Sequence, residues 1–210
     1  MKKIKKILKI TLMILGAIIA LAIIFVGVLT ATEYRPKDSE SLDIIGGNSV
    51  GHTCSPSIGD NLSVVTWNLG YGSLGANADF FMDGGKESRA RSRQAVDENM
   101  RGEVSLVKDL SPDFALFQEV DIYGTRSWHI GEDAYLDDVM GNSEFNKVFA
   151  QNYDSPYLFY PLINPHGANQ SGIVTLSRHP ISSAVRRSLP IETGIMKLVD
   201  LDRCYSVSRV

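Results

Sequence analysis

The chain has 210 residues, an apolar content of 44% and a net charge of −3, which suits one compact domain with an additional segment. Residues 1–9 contain five lysines, so the remaining residues carry 16 basic and 24 acidic side chains, a net charge of −8. A body this acidic has no global electrostatic reason to bind nucleic acid or an anionic membrane surface. Any anion must therefore be recognised by a local cluster or through a metal.

The N-terminal segment has the composition of a membrane anchor. Residues 10–32 carry no charge and are mainly aliphatic, and they follow the lysines of residues 1–9. About 20 apolar helical residues span a bilayer core, whereas a cleaved signal peptide has a shorter apolar region and a small-x-small cleavage site. The nearest candidate cleavage site, residues 29–31, begins with Leu29. We predict an uncleaved transmembrane anchor at 10–32, with a basic cytoplasmic tail at 1–9 and an extracytoplasmic domain on a single-pass protein of the cell membrane.

Residues 33–60 form a predicted juxtamembrane spacer. They are rich in Gly, Ser, Pro, Asp and Asn and have no apolar periodicity, so they are expected to wrap around or tether the domain instead of forming its core. Cys54 lies in the spacer and Cys204 lies near the end of the chain. Outside the membrane the two could form a disulfide, but their positions in sequence leave open whether they do.

The predicted domain covers residues 61–210 and begins with a strand, a helix and a second strand. Residues 62–67 are β-branched and alternate, which predicts a strand followed by a loop at Asn68. Apolar residues then recur every three or four positions from Val96 to Leu110, which predicts a helix that Pro112 ends. Residues 113–118 predict a buried strand, with Glu119 directly after it.

This order predicts that Asn68 and Glu119 lie at one edge of a sheet. A helical crossover makes the two strands parallel, and open α/β sheets bind their ligands at the carboxyl ends of such strands. An amide oxygen and a carboxylate are hard ligands that suit Mg²⁺, which supports phosphate ester cleavage. The alternatives are an ion-pair role for Glu119 and a turn-forming role for Asn68.

Three further positions are weaker candidates. Lys86, Arg89, Arg91 and Arg93 precede the long helix, where they could hold a phosphate or form a solvated charged segment. Arg126 follows Glu119 closely enough to face the same edge and suits bidentate phosphate contact, although it could equally be a surface arginine. His166 lies in a glycine-containing loop that could approach a ligand, and its alternative is a turn residue.

The sequence of the rest of the domain predicts short strands. They fall at about residues 147–150, 158–160, 172–177 and 182–187, separated by Pro and Gly turns, and residues up to about 143 are predicted helical or irregular. Aromatic residues on predicted strands usually pack between layers. The expected core aromatics are Trp67, Phe114, Phe117, Phe149 and Tyr160.

Three motifs in succession carry a family resemblance. They are Thr-Trp-Asn-Leu-Gly-Tyr at 66–71, Phe-Gln-Glu-Val-Asp at 117–121 and Ser-Gly-Ile-Val-Thr-Leu-Ser-Arg-His-Pro-Ile at 171–181. In order and approximate spacing they resemble the endonuclease/exonuclease/phosphatase family over residues 61–210, and residues 79–85 and 200–204 resemble its membrane-tethered bacterial members.

The resemblance implies roles for the two edge residues. Glu119 matches the family's metal-binding glutamate, and Asn68 matches the asparagine that supports the metal and phosphate. Gly70 stands where some members have an acid, so one possible ligand is missing. The family's later Asp-x-Asn and terminal Asp-His pairs do not occur between residues 181 and 210.

The sequence predicts an α/β fold, the N-terminal half of a two-sheet sandwich preceded by one transmembrane helix. Because residues 205–210 alternate like a strand in mid-course, a truncated or fragmentary chain that is inactive alone is expected. The predicted function is a membrane-anchored phosphodiesterase or phosphatase that uses Mg²⁺, with Mn²⁺ as a substitute, on a phosphate ester of undetermined type. Catalytic and metal roles fall to Asn68 and Glu119, and substrate contacts fall to Arg126 and His166. The alternative is a non-catalytic extracytoplasmic interaction domain or a decayed remnant.

Overall fold

The computed structural model describes residues 2–46, 54–76, 78–141, 144–191, 194, 197 and 200–210. It contains two compact units, Met1–Glu33 and Tyr34–Val210. Part of the predicted spacer, residues 47–53, lies outside the described residues.

The first unit is a single helix, α1 (Lys2–Thr32). It includes both the lysine cluster and the uncharged residues 10–32, and it is long and apolar enough to cross a membrane by length and composition. At 1.5 Å per residue the 23 uncharged residues span about 35 Å, compared with about 30 Å for a bilayer core. The predicted helix at 10–32 is therefore present, with its N-terminal turns extended into the basic tail.

The described residues of the second unit include two α-helices and eight strands. The helices are α2 (Arg93–Asp109) and α3 (Glu132–Met140). The strands are β1 (Ser39–Ser41), β2 (Ile44–Gly46), β3 (Val64–Asn68), β4 (Phe114–Gly124), β5 (Asn146–Leu158), β6 (Gly167–Ser177), β7 (Ser183–Ser188) and β8 (Cys204–Arg209).

The strands form two sheets. One has five strands in the order β2-β5-β6-β4-β3, and the other has three in the order β1-β7-β8. Only β3 and β4 pair in parallel among the strands described, and α2 is the crossover between them; the other described pairs are antiparallel. The predicted α/β class is confirmed.

The main core lies between the helices and one face of the five-stranded sheet. The periodic residues of α2 are completely buried there, against Phe117 of β4 and Val174 of β6. Ser92 begins α2 by accepting a hydrogen bond from the Ala95 backbone N–H at 3.1 Å. The apolar spacing from Val96 to Leu110 predicted this helix, and the observed helix begins three residues earlier and ends one residue earlier.

The three-stranded sheet packs on the opposite face. Alternate residues of the larger sheet point that way, so Val148 packs with Ala184 and Ile181, and Thr175 Oγ1 lies 3.4 Å from Ser206 Oγ. The sandwich therefore has helices on one side, the larger sheet in the middle and the smaller sheet on the other side.

Several predicted strand bounds differ from the structure, and β5 and β6 are longer than the strands predicted at 147–150 and 172–177. The strand predicted at 113–118 continues to Gly124, because a bulge absorbs the irregularity at Glu119 instead of ending the strand. The strand predicted at 158–160 is wrong, since β5 ends at Leu158 and a loop follows. Tyr160, expected in the core, is 70% exposed in that loop.

The described part of the spacer wraps along both sheets. β1 pairs with β7 and β2 pairs with β5, so this segment adds one edge strand to each sheet. Cys54 and Cys204 are both free thiols.

Candidate functional site at the β3–β4 edge

The site is built where the parallel pairing of β3 and β4 ends. Asn68 is the last residue of β3 and pairs with Gln118, and the Leu69 N–H donates to the Gln118 carbonyl at 3.0 Å. Glu119 is the next residue of β4 and sits in the bulge with a φ of 56°. It was predicted to lie past a strand end, and it instead lies within a longer strand, just past the end of the parallel pairing. The two residues are thus on neighbouring strands at one edge, as expected.

The segment after β3 turns with left-handed backbone. Gly70, Tyr71 and Gly72 have φ values of 53°, 56° and 58°. The Gly70 N–H donates to Asn68 Oδ1 at 2.8 Å, which fixes the direction of the amide. A Cβ on Gly72 would lie 2.8 Å from Val96 Cγ1, so α2 packs directly on this turn. Gly70 therefore has a backbone role at the position where an acidic ligand is missing.

A buried ion pair lies beside this turn. Asp121 is fully buried and Arg126 is 4% exposed. The Arg126 guanidinium donates to both Asp121 oxygens at 2.8–3.2 Å and to Ser171 Oγ at 3.0 Å, and it lies 3.2 Å from the Tyr71 ring centre. Burial opposes the charge of Arg126, but Asp121 raises its pKa above the usual value. The candidate substrate residue Arg126 is thus engaged inside the fold.

Tyr71 lies close to the charges of the edge. Burial raises the pKa of its hydroxyl to about 12; nearby Arg126 lowers the pKa, whereas the carboxylates of Glu119 and Asp121 raise it further. The phenol therefore stays protonated at neutral pH, and it covers the guanidinium on the side nearest the turn.

A buried carboxyl group, Glu132, and a half-buried one, Glu103, lie behind the edge, and neither gave a sequence signal. Glu132 Oε2 accepts from the Asp121 backbone N–H at 2.8 Å, while its other oxygen has no partner among the described residues. Burial, then the Asp121 charge, raises the pKa of Glu132 well above its usual value. Burial also raises the pKa of Glu103 to about 7. In the sequence Glu132 looks like an ordinary acid in the first turn of a helix.

His166 lies in the loop between β5 and β6. It is 4% exposed, its ring centre lies 5.7 Å from that of Phe81, and its Nδ1 has no partner among the described residues. Burial and then the Arg126 charge lower its pKa to about 4, although a backbone hydrogen bond with Ser88 opposes this. The imidazole is therefore neutral at pH 7, and it contacts the loop before α2 instead of the β3–β4 edge.

Two residues at this edge have the kind of oxygen donor that a metal ion would need. Within the described ranges no group of three or more His, Cys, Asp and Glu side chains is placed to hold a metal. Glu119 and Asn68 nevertheless carry hard oxygen donors on neighbouring strands, and such donors suit an ion that keeps most of its waters, as Mg²⁺ does. The donor chemistry fits the divalent cation on which the family generally depends.

Comparison with known proteins agrees with the geometry. The model of the Endonuclease/Exonuclease/phosphatase family matches residues 65–209, which include Asn68, the bulge at Glu119 and the strands β4 to β8. No curated protein and no solved structure matches the chain. Because the family model covers more than half of the sequence, the chain belongs to the endonuclease/exonuclease/phosphatase family.

Proposed function

We propose that this protein is a membrane-anchored, divalent-metal-dependent phosphoesterase. The observation that carries the proposal is the placement of Asn68 and Glu119 side by side, at the end of the parallel β3–β4 pair in a domain of this family. Phosphoesters need a site that neutralises charge and orients water, and a carboxylate-held cation does both.

Glu119 is the proposed metal ligand. The bulge turns its backbone to a positive φ at the first position beyond the parallel pairing. Such a backbone is costly for a non-glycine residue and is retained where surrounding structure enforces it. When bound, Mg²⁺ or Mn²⁺ would polarise the phosphoryl oxygen and lower the pKa of a bound water.

Asn68 is proposed to orient the phosphate or a metal-bound water. Its Oδ1 already accepts from Gly70, so the amide is held in one orientation and its NH₂ group remains to donate to an anionic oxygen. This preorganisation means that the amide needs little reordering when a phosphate arrives.

Arg126 and His166 are proposed as positioning residues. Arg126 fixes Asp121, two residues after Glu119, through a bidentate pair that is buried beneath the Tyr71 ring. His166 lies in a loop that is linked to Arg126 through Asn169. The Asn169 side chain accepts a hydrogen bond from the Arg126 N–H and donates one to the His166 carbonyl.

The proposed location is the cell membrane, with α1 as a single-pass anchor, residues 1–9 in the cytoplasm and residues 61–210 outside. The five N-terminal lysines support this orientation, because basic residues favour the cytoplasmic side. The acidic body disfavours long nucleic acid as substrate, and the anchor makes a lipid phosphoester plausible.

The test is hydrolysis by protein isolated from its native membrane. We expect release of nitrophenol from bis(p-nitrophenyl) phosphate that EDTA abolishes and Mg²⁺ or Mn²⁺ restores. Glu119→Gln should lower the rate by at least about a hundredfold, because it removes the charged ligand. Glu98→Gln, an exposed change on α2, is the matched control.

A non-catalytic interaction domain is the competing proposal. The observation that favours it is Gly70, which stands where some members of the family have an acidic ligand. Metal-independent or absent hydrolysis in the isolated protein, with Glu119→Gln folding and behaving as wild type, would support this alternative and reject the enzyme.

A further inference from the structure

The loop between β5 and β6 exposes large apolar side chains at one end of the domain. Phe159, Tyr160, Leu162 and Ile163 are 58%, 70%, 87% and 84% exposed, and Met82 of a neighbouring turn is 68% exposed. Single exposed apolar residues are ordinary, but clustered large ones mark an interaction surface. We call these five residues the apolar tip.

The apolar tip is held in place by the segment before α2. Asn164 accepts hydrogen bonds from Ser88 Oγ to its carbonyl and from Arg89 Nη2 to its side chain, the latter at 2.9 Å. The Phe81 and Tyr160 ring centres lie 6.0 Å apart. These contacts hold the loop in a defined conformation in which its apolar residues are exposed to solvent.

Cations flank the apolar tip. Ile163 and Asn164 line an open groove of about 680 Å³ together with Lys86, Arg89, Arg91 and Trp128. One acid, Glu87, also lines the groove and pairs with Arg91 at 3.1 Å. The groove keeps an excess of positive charge within an otherwise acidic body, and charges beyond about 10 Å are largely screened at physiological salt.

This surface and the β3–β4 edge lie toward the same end of the sheet. Gly124, the last residue of β4, pairs with Asn169 near the start of β6, and the Thr125 N–H donates to the Ala168 carbonyl at 2.9 Å. Glu119 lies five residues before Gly124, or roughly 16 Å along an extended strand. The loop that carries the apolar tip therefore adjoins the Gly124 end of β4, the end toward which the chain runs after Glu119.

We propose that the apolar tip, with Lys86, Arg89 and Arg91, docks on the surface of a lipid bilayer that contains anionic lipids. Aromatic and aliphatic residues bordered by cations are the composition of interfacial membrane-binding segments, in which apolar groups enter the headgroup boundary and cations meet lipid phosphates. A candidate membrane span on the same chain provides the bilayer. A lipid headgroup phosphoester then becomes the substrate class, and that consequence alone rests on the proposed function.

The test measures insertion directly. The full chain, with Cys54→Ser and Cys204→Ser, is labelled with a bimane fluorophore at Leu162→Cys and placed in nanodiscs that contain brominated lipids. The matched control carries the label at Leu110→Cys, an apolar residue that is 58% exposed and precedes the start of β4 at the other end of the strand. We expect at least about threefold stronger quenching at position 162 than at 110.

The charge contribution has its own comparison. Quenching at position 162 should increase with the fraction of phosphatidylglycerol, and Lys86→Glu should remove this increase, whereas Arg101→Glu on α2 should keep it. Equal quenching at 162 and 110 would overturn the proposal, as would protection of position 162 by a second copy of the chain or another protein. Because quenching needs no turnover, a failure here is distinct from a failure of the proposed phosphoesterase activity.

Discussion

The buried pair of Arg126 and Asp121 allows the sharpest prediction about what holds the candidate site together. Arg126→Met keeps much of the side-chain volume but leaves the Asp121 carboxylate buried without its partner. The change also removes the bond to Ser171 Oγ and the contact with the Tyr71 ring. The structure therefore predicts a large loss of stability from one substitution.

The size of the loss follows from the burial. Breaking a fully buried ion pair by removing one partner costs about 3–5 kcal/mol. For a unit of the size of Tyr34–Val210, each kcal/mol lowers the midpoint of thermal unfolding by about 2–4 °C. The expected decrease for Arg126→Met is therefore about 6–20 °C.

Near-UV circular dichroism in detergent is the appropriate assay. All tyrosines and tryptophans lie in residues 34–210, so the signal reports on the folded unit and not on α1. Arg101→Met is the control, because its pair with Asp97 is exposed to solvent and contributes little to stability.

The double variant Asp121→Leu/Arg126→Met separates lost charge pairing from lost packing. Without a stranded charge it should lie within about 2 kcal/mol of the wild type, because the Asp121 backbone bond to Glu132 remains. A loss below about 1 kcal/mol for Arg126→Met, or a double variant as unstable as the sum of the singles, would refute the reasoning.

Two further predictions concern the packing behind the edge. Burial raises the folded-state pKa of Glu103 to about 7, so the folded protein holds this proton more tightly than the unfolded chain does. The free energy of unfolding should therefore fall as the pH rises from about 4.5 to about 7. Thermal unfolding measured from about pH 4.5 to 8 should show this decrease, and Glu103→Gln should flatten it. An unchanged slope in that variant would show that Glu103 is not the group responsible. Gly72→Ala should destabilise the unit by about 2–4 kcal/mol in the same assay, because the new residue would have a φ of 58° and a Cβ 2.8 Å from Val96 Cγ1. Gly102→Ala on α2 is the control. A Cβ there meets nothing within 4 Å, so this variant should be neutral or more stable than the wild type.

The sequence predicted the elements that have strong periodicity. The apolar spacing from Val96 to Leu110 located α2, and the strand-helix-strand order predicted the parallel pairing that brings Asn68 beside Gln118 and Glu119. These features depend on local patterns and on the geometry of a crossover, which is why they can be read without tertiary information.

Features that depend on tertiary contacts were not predictable in the same way. The bulge at Glu119 arises because β4 continues its pairing with β6 to Gly124, and no local signal distinguishes that from a strand end. The burial of Arg126 and Glu132 likewise depends on which elements pack over them. A strand was predicted at 158–160 with Tyr160 in the core, whereas the structure exposes Phe159 and Tyr160 at the end of a hairpin.

Metal binding tests the central claim most directly. Electron paramagnetic resonance of free Mn²⁺, titrated into the detergent-solubilised chain, should reveal a site for which Mg²⁺ competes. Glu119→Gln should weaken that site by at least about tenfold, and Glu98→Gln should leave it unchanged. Equal Mn²⁺ binding by the wild type and Glu119→Gln would contradict the assignment of a metal site to the β3–β4 edge.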